Sequence, residues 1–371
     1  MEVPLSKPNI TALEKKYVMK VLNSGQLSFG DTLLRFEQSF CDTFNVSHAA
    51  AMNSGTSALH VAVKALGLQS GDEVITTPYS FVASGNCLLY EGVKPVFVDI
   101  DSDTFNIDTT LIESAITPNT KAILVVHVFG QPCHMDEIKR IADKHKLFII
   151  EDACEAIGAT WKGNPVGTLG DMGVFAFYPN KQITTGEGGV LLTDNEHYFN
   201  LACSLRNQGR DPGSDWLTHD RIGYNYRMSD LQAAIGLAQM ERLKTILTKR
   251  ERAAERYIRL IHKAGLPVKT LKPLPDSTMS WFVFIVKLPE DADREIVIER
   301  LARRGVQSKP YFPSIHLFPV YQSQFGFQPG DFPVSESTSD RTIAIPFYTN
   351  ITFKEQAHVV KSLAEALKGE E

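Results

Sequence analysis

The chain is sparing with cysteine: five in 371 residues, at Cys41, Cys87, Cys133, Cys154 and Cys203, with no C-x-x-C pair among them. A disulfide scaffold or a zinc ribbon needs close, regular spacing, so the pattern predicts free thiols in a reducing compartment and no metal site. Neighbouring Cys133 and His134 lack the spacing of a ligand pair. Long apolar runs are also missing, which predicts that no segment spans a membrane. Residues 1–10, with Lys7 and two prolines, lack the apolar core of a signal peptide, so the expected location is cytoplasmic.

Positive charge is short too. Lys and Arg number 38 against 43 for Asp and Glu, a net charge of -5, so neither nucleic acid nor an anionic membrane would be attracted overall. A small-molecule substrate fits better. Repeats and low-complexity tracts are absent. With 43% hydrophobic and 22% charged residues, the chain has an ordinary globular composition and length enough for two domains.

What stands out is the stretch 175–189. An apolar run at 172–177 reads as a strand, a second at 190–193 as another, and the segment between them is rich in glycine and hydroxyls. Lys181 therefore sits on a tight loop. An amine shielded from water there loses favour for its charged form, and its lone pair can attack a carbonyl to form a Schiff base. Lysines in turns are more often solvated charges, so this one needs partners.

Two other segments supply candidates. A short strand at 48–52 runs through Asn53, Ser54, Gly55, Thr56 and Ser57 into a helix, and free amides and the helix dipole make such a start an anion site. The apolar strand at 147–150 delivers Glu151 and Asp152 at its end, an acidic pair that by itself is often just a helix cap or a metal ligand. Strands at 72–77, 93–98, 121–127 and 147–150 alternate with helices such as 134–145. This rhythm predicts a mainly parallel sheet with helices on both faces, and ligands beyond the carboxyl ends of its strands.

Elsewhere the patterns predict scaffold. Helices are expected at 10–24, 32–44 and 195–209, and Ser229 is a candidate N-cap for a long helix from 231 to 247 or beyond. Basic residues from 249 to 259 alternate with Glu251 and Glu255, as on a solvated helix face. Three prolines mark a composition shift at 265–280. A smaller unit is expected after it, with a strand at 281–287, a helix at 293–304, a strand leading to Tyr311 and a last helix at 354–367. The expected domains are 1–250 and 251–371.

Segments 175–189, 53–58, 151–158 and 223–228 together resemble the DegT/DnrJ/EryC1/StrS family of pyridoxal-phosphate enzymes, the sugar aminotransferases, in family order and over almost the whole chain. The resemblance implies the fold type I aminotransferase architecture: a large α/β domain, a smaller C-terminal α/β domain, and a homodimer with shared active sites. It implies that Lys181 tethers the cofactor and shuttles the proton, that Gly55 and Thr56 cup its phosphate, and that Phe81 stacks on its ring. Asp152 would face the pyridine nitrogen, and Glu155 would lie near the phenolic oxygen, where several relatives carry Gln or His. Asn225 would reach the neighbouring chain's cofactor phosphate, while His316 and Tyr311 would meet substrate.

One departure lies inside the central motif: Ala176 stands where many relatives have a serine whose hydroxyl bonds the phosphate. The implied reaction moves an amino group, with glutamate as donor, to a ketosugar linked to a nucleotide. A cyclitol or other non-nucleotide ketone is an alternative acceptor. A dehydratase on the same fold would carry histidine in place of Lys181, and a non-catalytic regulator would keep the fold without turnover.

Overall fold

The computed structural model describes residues 1–215 and 217–369. Seven strands form the main sheet, in the order His48–Met52, Gly189–Thr193, Met172–Ala176, Phe148–Asp152, Thr120–Val126, Glu73–Thr76 and Lys94–Phe97. From Met172–Ala176 to Lys94–Phe97 neighbouring strands are parallel, while Gly189–Thr193 runs antiparallel to both its neighbours. The central strands are apolar along nearly their full length because helices cover both faces, and residues 122–126 are all buried. Helix Gly55–Ala65 is buried on nearly every side, whereas Met135–His145 buries only the stripe of Met135, Ile138, Ile141 and Ala142.

A second, antiparallel sheet has the order Lys269–Thr270, Phe284–Lys287, Thr342–Ile345 and Lys309–Pro310. Helices Arg294–Arg303 and Phe353–Lys368 accompany it. One apolar cluster runs without a gap from Val61 and Leu124 of the first layer to Phe284, Ile343 and Leu363 of the second. The N-terminal residues cross to this second unit: Val3 N donates to Gly305 O at 2.8 Å and Gln307 N to Val3 O at 3.1 Å.

Three departures from the sequence reading have local causes. The long helix expected from 231 is two, Asp230–Glu241 and Leu243–Lys263, broken at Arg242, whose guanidinium turns back to the Asn9 carbonyl at 3.2 Å. The strand expected from 281 begins at Phe284, because Trp281 is left-handed (φ 48°) and Phe282 N donates to Phe129 O at 3.2 Å rather than to the sheet. Arg250 lies in the stretch expected to be solvated, yet it is buried. Among the described residues no helix is long and apolar enough to cross a membrane, and no cluster of His, Cys, Asp and Glu could hold a metal ion.

Candidate active site

Strands Thr120–Val126, Phe148–Asp152 and Met172–Ala176 end together on a cavity of about 500 Å³, which the segments around Phe282 and Tyr311 close from the other side. Alternation along Phe148–Asp152 sends its last two side chains to opposite faces. Glu151 turns away from the cavity into the interior, where its carboxylate accepts from His127 Nε2 at 2.9 Å and from the amides of Gly167, Leu169 and Gly170 at 2.7, 2.5 and 2.7 Å. Those four donors anchor the strand end. Asp152 faces the cavity; its Oδ2 accepts from Ser84 Oγ at 2.7 Å and its Oδ1 from Cys154 N at 3.2 Å. Ser84 Oγ in turn lies 2.8 Å from Ser80 Oγ.

The loop bearing Lys181 is pinched at its base. Phe177 N donates to Gly188 O at 2.9 Å, Thr185 N to Phe177 O at 3.0 Å and Thr184 Oγ1 to Phe177 O at 2.8 Å. Gly186 makes the turn at φ 84°, a conformation that disfavours a side chain. The Lys181 side chain is only 13% exposed; its Nζ lies 3.3 Å from Glu155 Oε1 and 4.1 Å from the centroid of the Phe282 ring. Glu155 Oε2 accepts from Phe129 N at 3.0 Å. Burial pushes the Glu155 carboxyl above its ordinary range and the charge of Asp152 adds to that, against the opposing pull of Lys181 and the Phe129 amide.

Ser54 caps helix Gly55–Ala65, its side chain accepting from Ser57 N at 3.0 Å, and Ser54, Gly55 and Thr56 all line the cavity. The first-turn amides, which have no partner within a helix, and the positive end of the dipole thus meet the cavity. Residue 55 must be glycine: a Cβ there would lie 2.5 Å from Ala176 Cβ and 3.2 Å from Cys154 Sγ. Phe81 stands at the mouth, 61% exposed. Leu59, Val126, Phe282 and Phe312 make apolar walls. Tyr311 Oη accepts from Asn180 Nδ2 at 3.3 Å, and burial, with the charge of Glu155 behind it, raises the phenol pKa.

The cavity therefore gathers Lys181, Asp152, Gly55, Thr56, Phe81, Glu155 and Tyr311. Asn225 is not among its lining residues; it is exposed on a loop whose carbonyl accepts from Asn53 Nδ2 at 3.3 Å. His316, expected at the substrate mouth, is instead fully buried. Its ring meets Phe332 at 4.8 Å between centroids, and Nε2 pairs with Glu336 Oε1 at 3.0 Å, so an aromatic cluster claims it as a packing residue. Sequence reasoning missed Ser84, Asn180 and Phe282. Ser84 sits in a run of small residues that reads only as helix, and nothing local ties Phe282 to a lysine a hundred residues earlier. Asn180, beside the lysine, was the one that could have been found.

A shielded amine, a protonatable carboxyl beside it and a second carboxylate on one cavity, all at the carboxyl ends of parallel strands, fit an enzyme of the class that works on carbonyls. The model of the DegT/DnrJ/EryC1/StrS aminotransferase family matches residues 8–364. GDP-perosamine synthase of Caulobacter vibrioides is 37% identical over 368 residues, covering 98% of each chain. The structure of Helicobacter pylori PseC, an aminotransferase involved in the biosynthesis of pseudoaminic acid, superposes with a TM-score of 0.95 at 30% identity, covering 100% of both chains. Spr1654 of Streptococcus pneumoniae in its PLP form gives a TM-score of 0.94 at 27% identity over 100% of this chain and 99% of its own. The chain belongs to the DegT/DnrJ/EryC1/StrS aminotransferase family. It is a pyridoxal-phosphate-dependent aminotransferase of fold type I.

Proposed function

We propose that this enzyme transfers an amino group, with glutamate as donor, to the keto group of a nucleotide-linked deoxysugar in polysaccharide biosynthesis, as a homodimer whose active sites are shared. The observation that carries the reading is a single cavity lined by Lys181, Asp152 and the start of helix Gly55–Ala65. These residues fit pyridoxal phosphate: Gly55 lets the helix start close on the strand end at Ala176 so that its first-turn amides meet the cavity and suit a phosphate, Asp152 offers a carboxylate to the ring nitrogen, and Lys181 offers a primary amine to the aldehyde. When bound, the cofactor supplies the electron sink that lets nitrogen and keto oxygen change places.

Every other part falls to the chain's own residues. Lys181 Nζ takes and returns the proton at the reacting carbon, and Glu155, 3.3 Å away, is placed to exchange a proton with it. Ser84 Oγ and Cys154 N hold the Asp152 carboxylate in one orientation. The apolar walls and the ring of Phe282 keep water from the amine. Tyr311, which lines the same cavity, is assigned to substrate on this reading. The presence of Lys181 favours transamination over the dehydratase alternative.

Sharing of the site between chains is supported by charge. Among the described residues lining the cavity Lys181 is the one cation, so on this reading further positive charge for the donor's carboxylates and the nucleotide's phosphates comes from outside that lining. Asn225, exposed and outside this cavity, is the residue assigned on this reading to the partner's cofactor phosphate. A cytoplasmic setting agrees with five free thiols. Glutamate added to the loaded enzyme should bleach its long-wavelength cofactor absorption, and a set of ketosugar nucleotides should restore it; a cyclitol ketone that restores it while sugar nucleotides do not would select the alternative acceptor. A purified mixed dimer of Lys181→Ala and Asn225→Asp chains should regain activity that neither parent has, because one site then carries both lesions and the other neither. A mixed dimer as dead as its parents, at saturating cofactor, rejects the shared site.

A further inference from the structure

Arg250, on helix Leu243–Lys263, is buried at 3% exposure, and among the described residues no carboxylate pairs with it. A buried guanidinium without a counter-ion is costly, and here burial alone pulls its pKa down to about 9. Its donors go to uncharged oxygens: Nε to Trp281 O at 3.0 Å, Nη2 to Phe282 O at 2.6 Å and Nη1 to Thr349 Oγ1 at 3.4 Å. The guanidinium lies over the Phe347 ring, 4.7 Å from its centroid. It does not line the cavity, so it is not a receptor for the donor's carboxylate.

The two carbonyls it grips belong to the segment that left-handed Trp281 turns out of the sheet. On the other side that segment is fixed by Ser280 N to Gly130 O at 3.1 Å and Phe282 N to Phe129 O at 3.2 Å. The ring so held lies 4.1 Å from Lys181 Nζ. We infer that Arg250 is a positioning residue for catalysis: by fastening the carbonyls of Trp281 and Phe282 it holds the Phe282 ring against Lys181, pinning and shielding the reacting amine. The inference rests on the proposed role of Lys181, but one of its readouts needs neither cofactor nor substrate.

In the apoprotein, labelling of Lys181 by trinitrobenzenesulfonate, followed by peptide mass spectrometry, should speed up about fivefold in both Arg250→Gln and Phe282→Leu, since the first loosens and the second removes the ring that shields and attracts the amine. In the loaded enzyme kcat should fall about tenfold in each while KM for the amino donor stays within about twofold, the mark of an effect on chemistry rather than binding. The double variant should be no worse than the worse single one, because both changes act through the same ring. Should Arg250→Gln not fold, Arg250→Lys, which keeps the cation but cannot bridge both carbonyls, takes its place in the cycle. Unchanged labelling of Lys181 in a folded Arg250 variant, or losses in kcat that simply multiply in the double variant, would overturn the inference. Failure of every sugar nucleotide as acceptor would leave the labelling result standing, so the two readings can fail separately.

Discussion

Asp152 and Glu155 stand three positions apart and line one cavity, yet the walls that hold them differ. Asp152 ends a strand and is met by a hydroxyl and an amide, one on each oxygen. Glu155 lies in the turn that follows, with one amide on Oε2 and on Oε1 only the amine it is paired with. Burial pushes the Glu155 carboxyl upward against the pull of Lys181 and of that amide. Two acids of the same chemistry are thereby set to different work: on the proposed reading, Asp152 is a fixed charge and Glu155 a proton carrier beside Lys181.

The largest effect should come from removing what both acids serve. Lys181→Ala should fold, as circular dichroism would verify, and lose transamination by many orders of magnitude; multiple turnover near the parent rate would end the reading. Asp152→Asn keeps the shape and removes the charge, so kcat should drop by about a hundredfold or more. An unchanged rate in that variant would mean that Asp152 has no part in the chemistry, and the contrast between the two walls would lose its meaning.

Glu155→Gln should cost less, about tenfold in kcat. It also carries a stability signature with a definite sign. The carboxyl pKa is raised on folding, so the folded state binds more protons than the unfolded one between the ordinary value of 4.5 and the raised value. Stability is therefore lost as pH rises through that window. The Gln variant of the apoprotein should melt above the parent at pH beyond the window, and the gap should close as pH falls below 4.5. A gap that stays constant with pH would show that the difference is packing rather than ionisation. The smallest effect is Ala176→Ser. A hydroxyl at the end of strand Met172–Ala176, beside the helix start, should tighten cofactor binding by at most about 1 kcal/mol; weaker binding by titration would show that the added atom crowds Gly55.

The sequence by itself determined the parts whose cause is local. A parallel sheet announces itself by apolar runs alternating with helices, and the cradle at residues 53–57, the strand-end acidic pair Glu151 and Asp152 and the glycine-rich loop of Lys181 are each written in a few consecutive residues. The tertiary structure decided what depends on distant partners. His316 looks the same in sequence whether it faces substrate or an aromatic cluster, and only packing against Phe332 and Glu336 removes it from the cavity. Ser84 becomes the support of Asp152 because a helix start meets a strand end 68 positions later. Arg250 reads as one more charge in an alternating stretch. Its burial follows from two carbonyls that a left-handed tryptophan turns toward it, and a contact 31 positions away in the chain leaves no mark on the residues beside it.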